Sequence, residues 1–241
     1  MQDYDNNRPA PREETLWVFG YGSLMWNPGF AFAQRLGARL NGYRRAFCIY
    51  STHHRGTHEK PGLVLGLDRG GACEGAAFRI RPEDRSEVLR YLREREQVSG
   101  VYREARVSLD LPLSDGIGSG FETVTGIAYI VEPRHPGYTG PLTISEQARL
   151  IRAATGLSGP NVEYLVQTCR QLRDAGIRDR EIERVLASVG GLFASRDGPQ
   201  VKAASRVLIN ATRQQRPFAP LLHRAQRRRF VHRVKLDALK E

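Results

Sequence analysis

The chain has 241 residues, of which 40% are hydrophobic and 26% are charged, and its formal net charge is +11. This length suffices for one or two domains with a hydrophobic core, and the composition excludes wholesale disorder. No window approaches the ~18 consecutive apolar residues of a membrane-spanning helix, and the first residues lack the apolar stretch of a secretory signal. We therefore expect a cytoplasmic protein without a membrane span.

The excess positive charge is concentrated at the C-terminal end. Residues 191–241 contain 12 Lys and Arg against 3 Asp and Glu, whereas residues 1–190 contain 25 against 23. A nearly neutral body disfavours nucleic acid as the main partner, because nucleic-acid enzymes spread cations over their working face. We divide the chain into a disordered arm at 1–14, a folded domain at 15–190 and a basic extension at 191–241.

Seven strands and four helices are predicted from periodicity and turn residues. In chain order, the predicted strands cover residues 16–19, 33–40, 43–50, 62–68, 72–80, 101–109 and 121–131. The predicted helices cover residues 83–97, 143–156, 160–175 and 179–188. The pairs Asn41-Gly42 and Gly70-Gly71 predict hairpin turns, and Thr143 with Glu146 predicts a capping box. Strands that precede helices indicate an α+β fold, and the short connections before residue 80 favour a small barrel, since they leave no room for crossover helices.

A glycine loop, Gly20-Tyr21-Gly22-Ser23, follows the first predicted strand. Glycines let a ligand approach the main chain and permit a positive φ, so that successive N–H groups can form a nest for a carboxylate or phosphate. The loop lacks the third glycine of a dinucleotide fingerprint, the Gly-Lys-Ser/Thr of a P-loop and the spacing of a nucleophile elbow. It is therefore a candidate anion-binding loop, and the alternative is a turn that only ends the strand.

Glu96 is a candidate proton carrier on the first predicted helix. The apolar stripe of that helix consists of Val88, Leu89 and Leu92. At about 100° per residue, Glu96 lies roughly 33° from the centre of this stripe, whereas Glu87 and Glu94 face the opposite side. Partial burial and the negative end of the helix dipole would both raise the pKa of this carboxyl. The alternative is a frayed helix end, or an ion pair with Arg93 or Arg103.

The remaining polar residues support weaker hypotheses. His54 and His58 are four apart, but Gly56 argues against the helix that would put both imidazoles on one face, so no metal site is predicted. Arg55 either donates to an anionic or peptide-like ligand or is solvated on a surface loop. Tyr164 is either a donor in a binding site or a core tyrosine. The three cysteines have no C-x-x-C spacing and are predicted to be reduced packing residues.

Seven segments, in order over residues 15–188, resemble the ChaC family of γ-glutamylcyclotransferases. They read VFGYGSLMWNPGF, ARLNGYRRAFCIYS, HRGT, KPGLVLGL, GGACEGAAFRI, YLREREQVSGVY and SGPNVEYL. The resemblance implies a mixed β-barrel with flanking helices, in agreement with the predicted elements. It also implies a lyase reaction, the cleavage of glutathione to 5-oxoproline and cysteinylglycine, without a metal or an organic cofactor.

The resemblance also implies roles for individual residues. The family's loop that binds the γ-glutamyl group through main-chain amides matches Tyr21, Gly22, Ser23 and Leu24, with Val18, Phe19 and Gly20 leading into it. The family's catalytic glutamate matches Glu96, the residue that the helical wheel selects independently. Tyr138 and Tyr164 match tyrosines of the pattern. His58 departs from it, because a proline commonly follows R-G-T in the family, and the basic extension lies beyond the family core.

Two alternatives to a glutathione-cleaving enzyme remain open from the sequence. The first is a cyclotransferase for other γ-glutamyl amines or dipeptides, because the sequence defines the γ-glutamyl end of the substrate better than its leaving group. The second is a binding module that acts through the basic extension. The sequence does not give the oligomeric state.

Overall fold

The computed structural model describes residues 15–113 and 120–194. The predicted arm at 1–14 and residues 195–241 of the predicted extension lie outside the described residues. Among those described, no helix combines the length and the apolar character needed to cross a membrane.

A closed barrel of five strands forms the body of the protein. The strands are β1 (Leu16–Gly20), β2 (Gln34–Ser51), β3 (Gly62–Ile80), β4 (Tyr102–Pro112) and β5 (Phe121–Val131). Their order around the barrel is β1-β3-β2-β4-β5, and β1 closes the ring by pairing in parallel with β5. The other pairs are antiparallel. The predicted small barrel is therefore confirmed, and its sheet is mixed.

The two predicted hairpin turns inside this barrel are wrong. Strands β2 and β3 run straight through them, and the β2–β3 register shifts between Asn41 and Tyr43. Gly42, Gly70 and Gly71 have φ values of 82°, 97° and 69°. Left-handed glycines suit a β-bulge as well as a turn, and a bulge bends a long strand without reversing it. Here the bulges curve two long strands around the barrel, and the chain reverses instead at residues 52–61.

Four helices flank the barrel: α1 (Arg85–Glu96), α2 (Ile144–Ala153), α3 (Asn161–Asp174) and α4 (Arg180–Ala194). The predicted capping box at Thr143 and Glu146 is confirmed. Helix α2 ends three residues earlier than predicted because Thr155–Gly156 pairs with Gly159–Pro160. Helix α4 continues past the predicted end at 188 and past the predicted domain boundary at 190.

The hydrophobic core fills the barrel and continues beneath α2, α3 and α4. Its largest fully buried side chains include Phe19, Phe47, Phe78 and Tyr129. The three cysteines are unpaired and buried, which confirms their predicted packing role. Burial raises the pKa of the Cys48 thiol to about 12, so this group is protonated and unreactive at neutral pH.

Candidate active site

The glycine loop leaves β1 at the rim of the barrel and turns at once into a short 3-10 helix, Ser23–Met25. The side chains of Val18 and Phe19 are fully buried and belong to the core, so these two residues can offer a ligand only their backbone. Gly22 is buried and Ser23 is exposed, which places the start of the 3-10 helix at the protein surface.

Three successive carbonyl groups of the loop have partners within the chain. The Tyr21 carbonyl accepts from Arg45 Nε at 2.6 Å, the Gly22 carbonyl from Met25 N at 2.9 Å, and the Ser23 carbonyl from Asn27 N at 2.8 Å. Within residues 15–113 and 120–194, the backbone N–H groups of Gly22, Ser23 and Leu24 donate no hydrogen bond. The first N–H groups of a helix lack partners inside it, so they are available to an external acceptor.

Of the two reasons expected for these glycines, the positive φ is wrong, and the close approach of a ligand stays a prediction. Neither Gly20 nor Gly22 has a positive φ, so the N–H groups are presented by the start of a 3-10 helix and not by a left-handed nest. Close packing favours glycine at position 20, because a Cβ atom there would lie 3.1 Å from the Cβ of Leu24 and 3.3 Å from the Met25 nitrogen. At position 22 a Cβ atom would meet only Leu65 Cδ1, at 3.6 Å. Gly22 therefore leaves open the space in front of the free N–H groups.

Glu96 is the last residue of α1 and points inward, as the helical wheel predicts. Its side chain is 16% exposed, whereas that of Glu94 is 62% exposed and pairs with Arg90. Burial raises the pKa of the Glu96 carboxyl, and the neighbouring Arg95 partly offsets this shift. Arg95 Nε lies 3.1 Å from Oε1, and Oε2 has no partner in the described part of the chain. One carboxylate oxygen is thus free to take up and release a proton.

Arg95 joins this carboxylate to the glycine loop. Besides its contact with Glu96, it donates to the Ser23 side chain at 3.0 Å and to the Asn27 carbonyl at 2.8 Å. It also donates to the Tyr91 hydroxyl, one turn earlier on α1, at 2.9 Å. A guanidinium group can make several such bonds at once because its five N–H donors lie in a rigid plane. The end of α1 is therefore held against the loop that follows β1.

The charge of Glu96 acts on the hydroxyl groups of Tyr21, Tyr102 and Tyr164. Burial raises the pKa values of Tyr21 and Tyr102 well above the ordinary value, and the charge of Glu96 raises both further. Burial raises the pKa of Tyr164 to about 12, and Glu96 again adds to this effect. All three hydroxyls remain protonated at neutral pH and can donate hydrogen bonds. The Tyr102 hydroxyl donates to the Leu65 carbonyl at 2.7 Å.

Asn161 places Tyr164 at this site. Its side chain is fully buried and binds both backbone groups of Leu63, accepting from the N–H at 2.6 Å and donating to the carbonyl at 2.8 Å. The start of α3 is thereby fixed on β3. Tyr164 follows one helical turn later and packs edge-on against Phe47, with ring centroids 6.0 Å apart. The Tyr164 ring packs against the core, as the second predicted alternative expects, and its role as a donor in the site stays a prediction.

Arg55 lies at the edge of this cluster, and Tyr138 lies outside it. The Arg55 guanidinium carbon is 5.7 Å from the centre of the Tyr164 ring, and Nη1 donates to the Pro160 carbonyl at 3.3 Å. The Tyr138 hydroxyl donates to Asp68 at 2.9 Å, and Asp68 is paired with Arg44. The role that the resemblance implies for Tyr138 stays a prediction.

Four neighbours of the site lie within the family motifs but are assigned no role from the sequence: Arg45, Arg95, Tyr102 and Asn161. Their contacts join segments that are far apart along the chain, so local periodicity does not identify them. Asn161 has the strongest local signal, because it is a polar residue on the apolar face of a helix and therefore needs buried partners. Near the predicted histidine pair, the His54 ring contacts the Ser158 hydroxyl at 3.0 Å. No cluster of three or more potential metal ligands occurs in the part of the chain that the structure describes.

Comparison with known proteins identifies the family. Residues 16–192 match the family model described as ChaC-like protein. The chain belongs to the ChaC-like family. The resemblance expected from the sequence motifs is thus confirmed. The matched segment of this ChaC-like chain contains the glycine loop, Glu96, Tyr21, Tyr102 and Tyr164.

Curated relatives and solved structures agree with this assignment. The chain is 39% identical to the glutathione-specific γ-glutamylcyclotransferase of Escherichia coli K12, covering 76% of this chain and 77% of that protein. It is 35% identical to the human glutathione-specific γ-glutamylcyclotransferase 1, covering 75% and 81%. A yeast γ-glutamyl cyclotransferase specific to glutathione superposes with a TM-score of 0.66 at 26% identity, covering 74% of this chain and 97% of that structure.

Proposed function

We propose that this chain is a glutathione-specific γ-glutamylcyclotransferase, a lyase that converts glutathione to 5-oxoproline and cysteinylglycine. The names of its ChaC-like relatives support the substrate. The proposal rests on one combination in the structure: Glu96 is a half-buried carboxylate, and the glycine loop has backbone N–H groups without partners among the described residues. A cytoplasmic location and glutathione as the main small-molecule partner belong to the same proposal.

The substrate supplies much of the reactivity in this reaction. In a γ-glutamyl peptide the α-amine can reach the γ-carbonyl of the same molecule, and closure gives a five-membered lactam. Such an intramolecular attack has a high effective concentration once the reacting atoms are held close together. The enzyme therefore needs no nucleophile of its own, and the proposed steps use only proton transfer and hydrogen bonding.

Glu96 carries the proton in the proposed mechanism. Its free Oε2 accepts a proton from the α-ammonium group, and the amine then attacks the γ-carbonyl carbon. After the attack, the nitrogen of the new ring still carries two protons. As the amide bond breaks, Glu96 gives its proton to the cysteine nitrogen, and the ring nitrogen gives up one of its two protons to the departing amine. The neutral lactam 5-oxoproline and cysteinylglycine then leave, and Glu96 is again ionised. A carboxyl whose pKa is raised by burial releases this proton less readily to water and is a better match to the pH of the reaction.

The glycine loop binds the γ-glutamyl group in this proposal. The N–H groups of Gly22, Ser23 and Leu24 offer donors to a substrate oxygen that carries negative charge, either the α-carboxylate or the carbonyl oxygen during attack. The buried hydroxyls of Tyr21 and Tyr164 add neutral donors next to Glu96.

In this proposal, Arg55 and Tyr138 lie on the side of the site that binds the leaving group, cysteinylglycine. Arg55 is a cation at the edge of the tyrosine cluster and is suited to the carboxylate of cysteinylglycine. Tyr138 is carried over from the family pattern alone.

Incubation of the purified full-length chain with reduced glutathione tests the proposal. We expect 5-oxoproline and cysteinylglycine to appear in equal amounts. γ-Glutamyl-alanine under the same conditions distinguishes glutathione specificity from a broader cyclotransferase. The proposed substrate is wrong if 5-oxoproline forms from γ-glutamyl-alanine faster than from glutathione, and the proposed reaction is wrong if neither compound yields it.

A further inference from the structure

Arg45 is a buried cation beside the glycine loop. It lies on β2 opposite Leu67, and its side chain is only 1% exposed. Removing an arginine from water is unfavourable unless its charge and its N–H groups find partners. The contacts of this side chain therefore indicate what it stabilises.

The Arg45 guanidinium binds three different segments. Nε donates to the Tyr21 carbonyl at 2.6 Å, and Nη2 donates to the Glu74 carbonyl at 2.5 Å. Nη1 donates to the Asp179 carboxylate at 2.8 Å, which balances the buried charge. Nη2 also lies 3.9 Å from the sulfur of Met25, at the far end of the 3-10 helix. Arg45 thus contacts both ends of the loop that follows β1.

The bond to the Tyr21 carbonyl fixes the direction of the next N–H group. A trans peptide unit is planar, so the carbonyl of residue 21 and the N–H of Gly22 point in opposite directions. With the carbonyl directed inward onto Arg45, the Gly22 N–H is directed away from Arg45. This N–H has no partner among the described residues. A charged donor on the carbonyl also polarises the peptide unit and makes its N–H a stronger donor.

We infer that Arg45 is a positioning residue: it orients the Tyr21–Gly22 peptide so that the Gly22 N–H serves as a hydrogen-bond donor to the γ-glutamyl substrate. The inference rests on the proposed cyclotransferase function for the identity of the ligand. The orientation of the peptide in the free protein does not depend on that function.

The surroundings of Arg45 allow its structural and positioning roles to be separated. Asp179 is 17% exposed and lines a cavity of about 260 Å³ that Arg39 also lines. Asp179 also accepts from the N–H of Ile182 at the start of α4, a role that asparagine can fill equally well. In a variant without Arg45, the Asp179 carboxylate has lost its ion-pair partner. Changing Asp179 to Asn removes this negative charge and keeps the cap of α4.

The test compares Arg45→Met, the double variant Arg45→Met/Asp179→Asn, and Arg39→Met as a matched control. Arg39 is an exposed arginine of the same strand and the same cavity, and its Nε donates to the side chain of Asn41 at 3.1 Å. We expect the double variant to recover the part of the melting temperature that Arg45→Met loses through the unpaired Asp179 carboxylate, whereas the Tyr21 and Glu74 carbonyls still lack their donor. Its kcat/KM for glutathione should nevertheless stay at least about 10-fold below that of the unaltered chain, because loss of one oriented donor costs about 10²- to 10³-fold and a misdirected donor loses part of this contribution. Arg39→Met should match the unaltered chain in both measurements.

Recovery of kcat/KM together with the melting temperature in the double variant would overturn the inference, because Arg45 would then act only through stability. A crystal structure of the double variant gives a second readout that does not depend on the reaction. We expect the Tyr21–Gly22 peptide to rotate away from its position in the unaltered chain, and an unchanged peptide would also overturn the inference. If the unaltered chain forms no 5-oxoproline, the proposed function fails, and the crystal structure alone decides the role of Arg45.

Discussion

At the scale of single residues, the proposed chemistry depends on how the surroundings change the pKa of Glu96. Burial raises this pKa, and Arg95 lowers it through its positive charge. The two effects oppose each other, so the carboxyl can be ionised when substrate binds and can still hold a proton during the reaction. Because the proposed reaction starts from the ionised carboxylate, kcat/KM should fall as the pH drops through the pKa of Glu96.

Replacement of Arg95 by Met should move the acid side of the pH profile to higher pH. The substitution removes a cation that favours the ionised form, so the pKa of Glu96 rises further above its ordinary value. The measurement is kcat/KM for glutathione across the pH range. Arg93→Met is the matched control, because Arg93 is on the same helix, is more than half exposed and pairs with Glu104 instead. An acid limb that stays in place or moves to lower pH in Arg95→Met would contradict this assignment.

Gly22→Val should weaken substrate binding while the barrel remains intact. A Cβ atom at this position meets only Leu65 Cδ1 at an ordinary 3.6 Å, but a branched side chain would cover the free N–H groups. We expect KM for glutathione to rise at least about tenfold, which corresponds to about 1.4 kcal/mol of binding free energy.

Gly37→Val provides the control for this substitution, since a Cβ atom at Gly37 has no described atom within 4 Å, and Gly37 lies on β2 with Ala76 of β3 between it and Gly20. Kinetic constants and the melting temperature are measured for both variants. A KM that stays the same in Gly22→Val would rule out recognition by the loop backbone.

At the scale of elements, the start of α3 is held by a side chain that takes the place of a neighbouring strand. Asn161 satisfies both the N–H and the carbonyl of Leu63, as a paired strand residue would. Buried backbone groups need such partners, so this single residue determines where α3 meets β3. The position of Tyr164 beside Glu96 follows from this attachment.

Asn161→Ala should lower the free energy of unfolding by about 2–6 kcal/mol, because two buried backbone groups lose their partners at about 1–3 kcal/mol each. Urea unfolding measures this change. Gln167→Ala is the control, since Gln167 is an exposed residue of the same helix and should change stability little. A loss in Asn161→Ala no larger than that in the control would show that the Asn161 contacts do not hold α3 in place.

The helices and strands also show which structural features can be predicted from local sequence patterns. The period of 3.6 residues correctly predicts which face of α1 is buried and that Glu96 lies on it, since this depends only on neighbours within the helix. The glycine pairs at 41–42 and 70–71 mark places where the backbone is left-handed, but such places occur in turns and in bulges alike. Only the pairing of β2 with β3 decides between the two.

At the scale of the whole molecule, the barrel brings together segments that are distant in the sequence. Arg95 joins the end of α1 to the loop after β1, and Asn161 joins the start of α3 to β3 at Leu63. Two residues further along β3, the Leu65 carbonyl binds the Tyr102 hydroxyl. The strand order and the family motifs predict the barrel, the loop and Glu96. Local sequence patterns do not identify the residues that align these segments, Arg45 above all, because each contacts a partner at least 20 positions away in the sequence.

The most direct test of the central claim compares Glu96→Gln with Glu94→Gln. Both variants remove one carboxylate from α1, but Glu96 is 16% exposed at the site and Glu94 is 62% exposed on the opposite face. We predict that Glu96→Gln folds normally and loses at least about 10²-fold in kcat for glutathione, as expected for loss of a proton-transfer group, and that Glu94→Gln retains full turnover. A Glu96→Gln chain that still turns over glutathione at more than about a tenth of the normal rate would contradict the proposed mechanism.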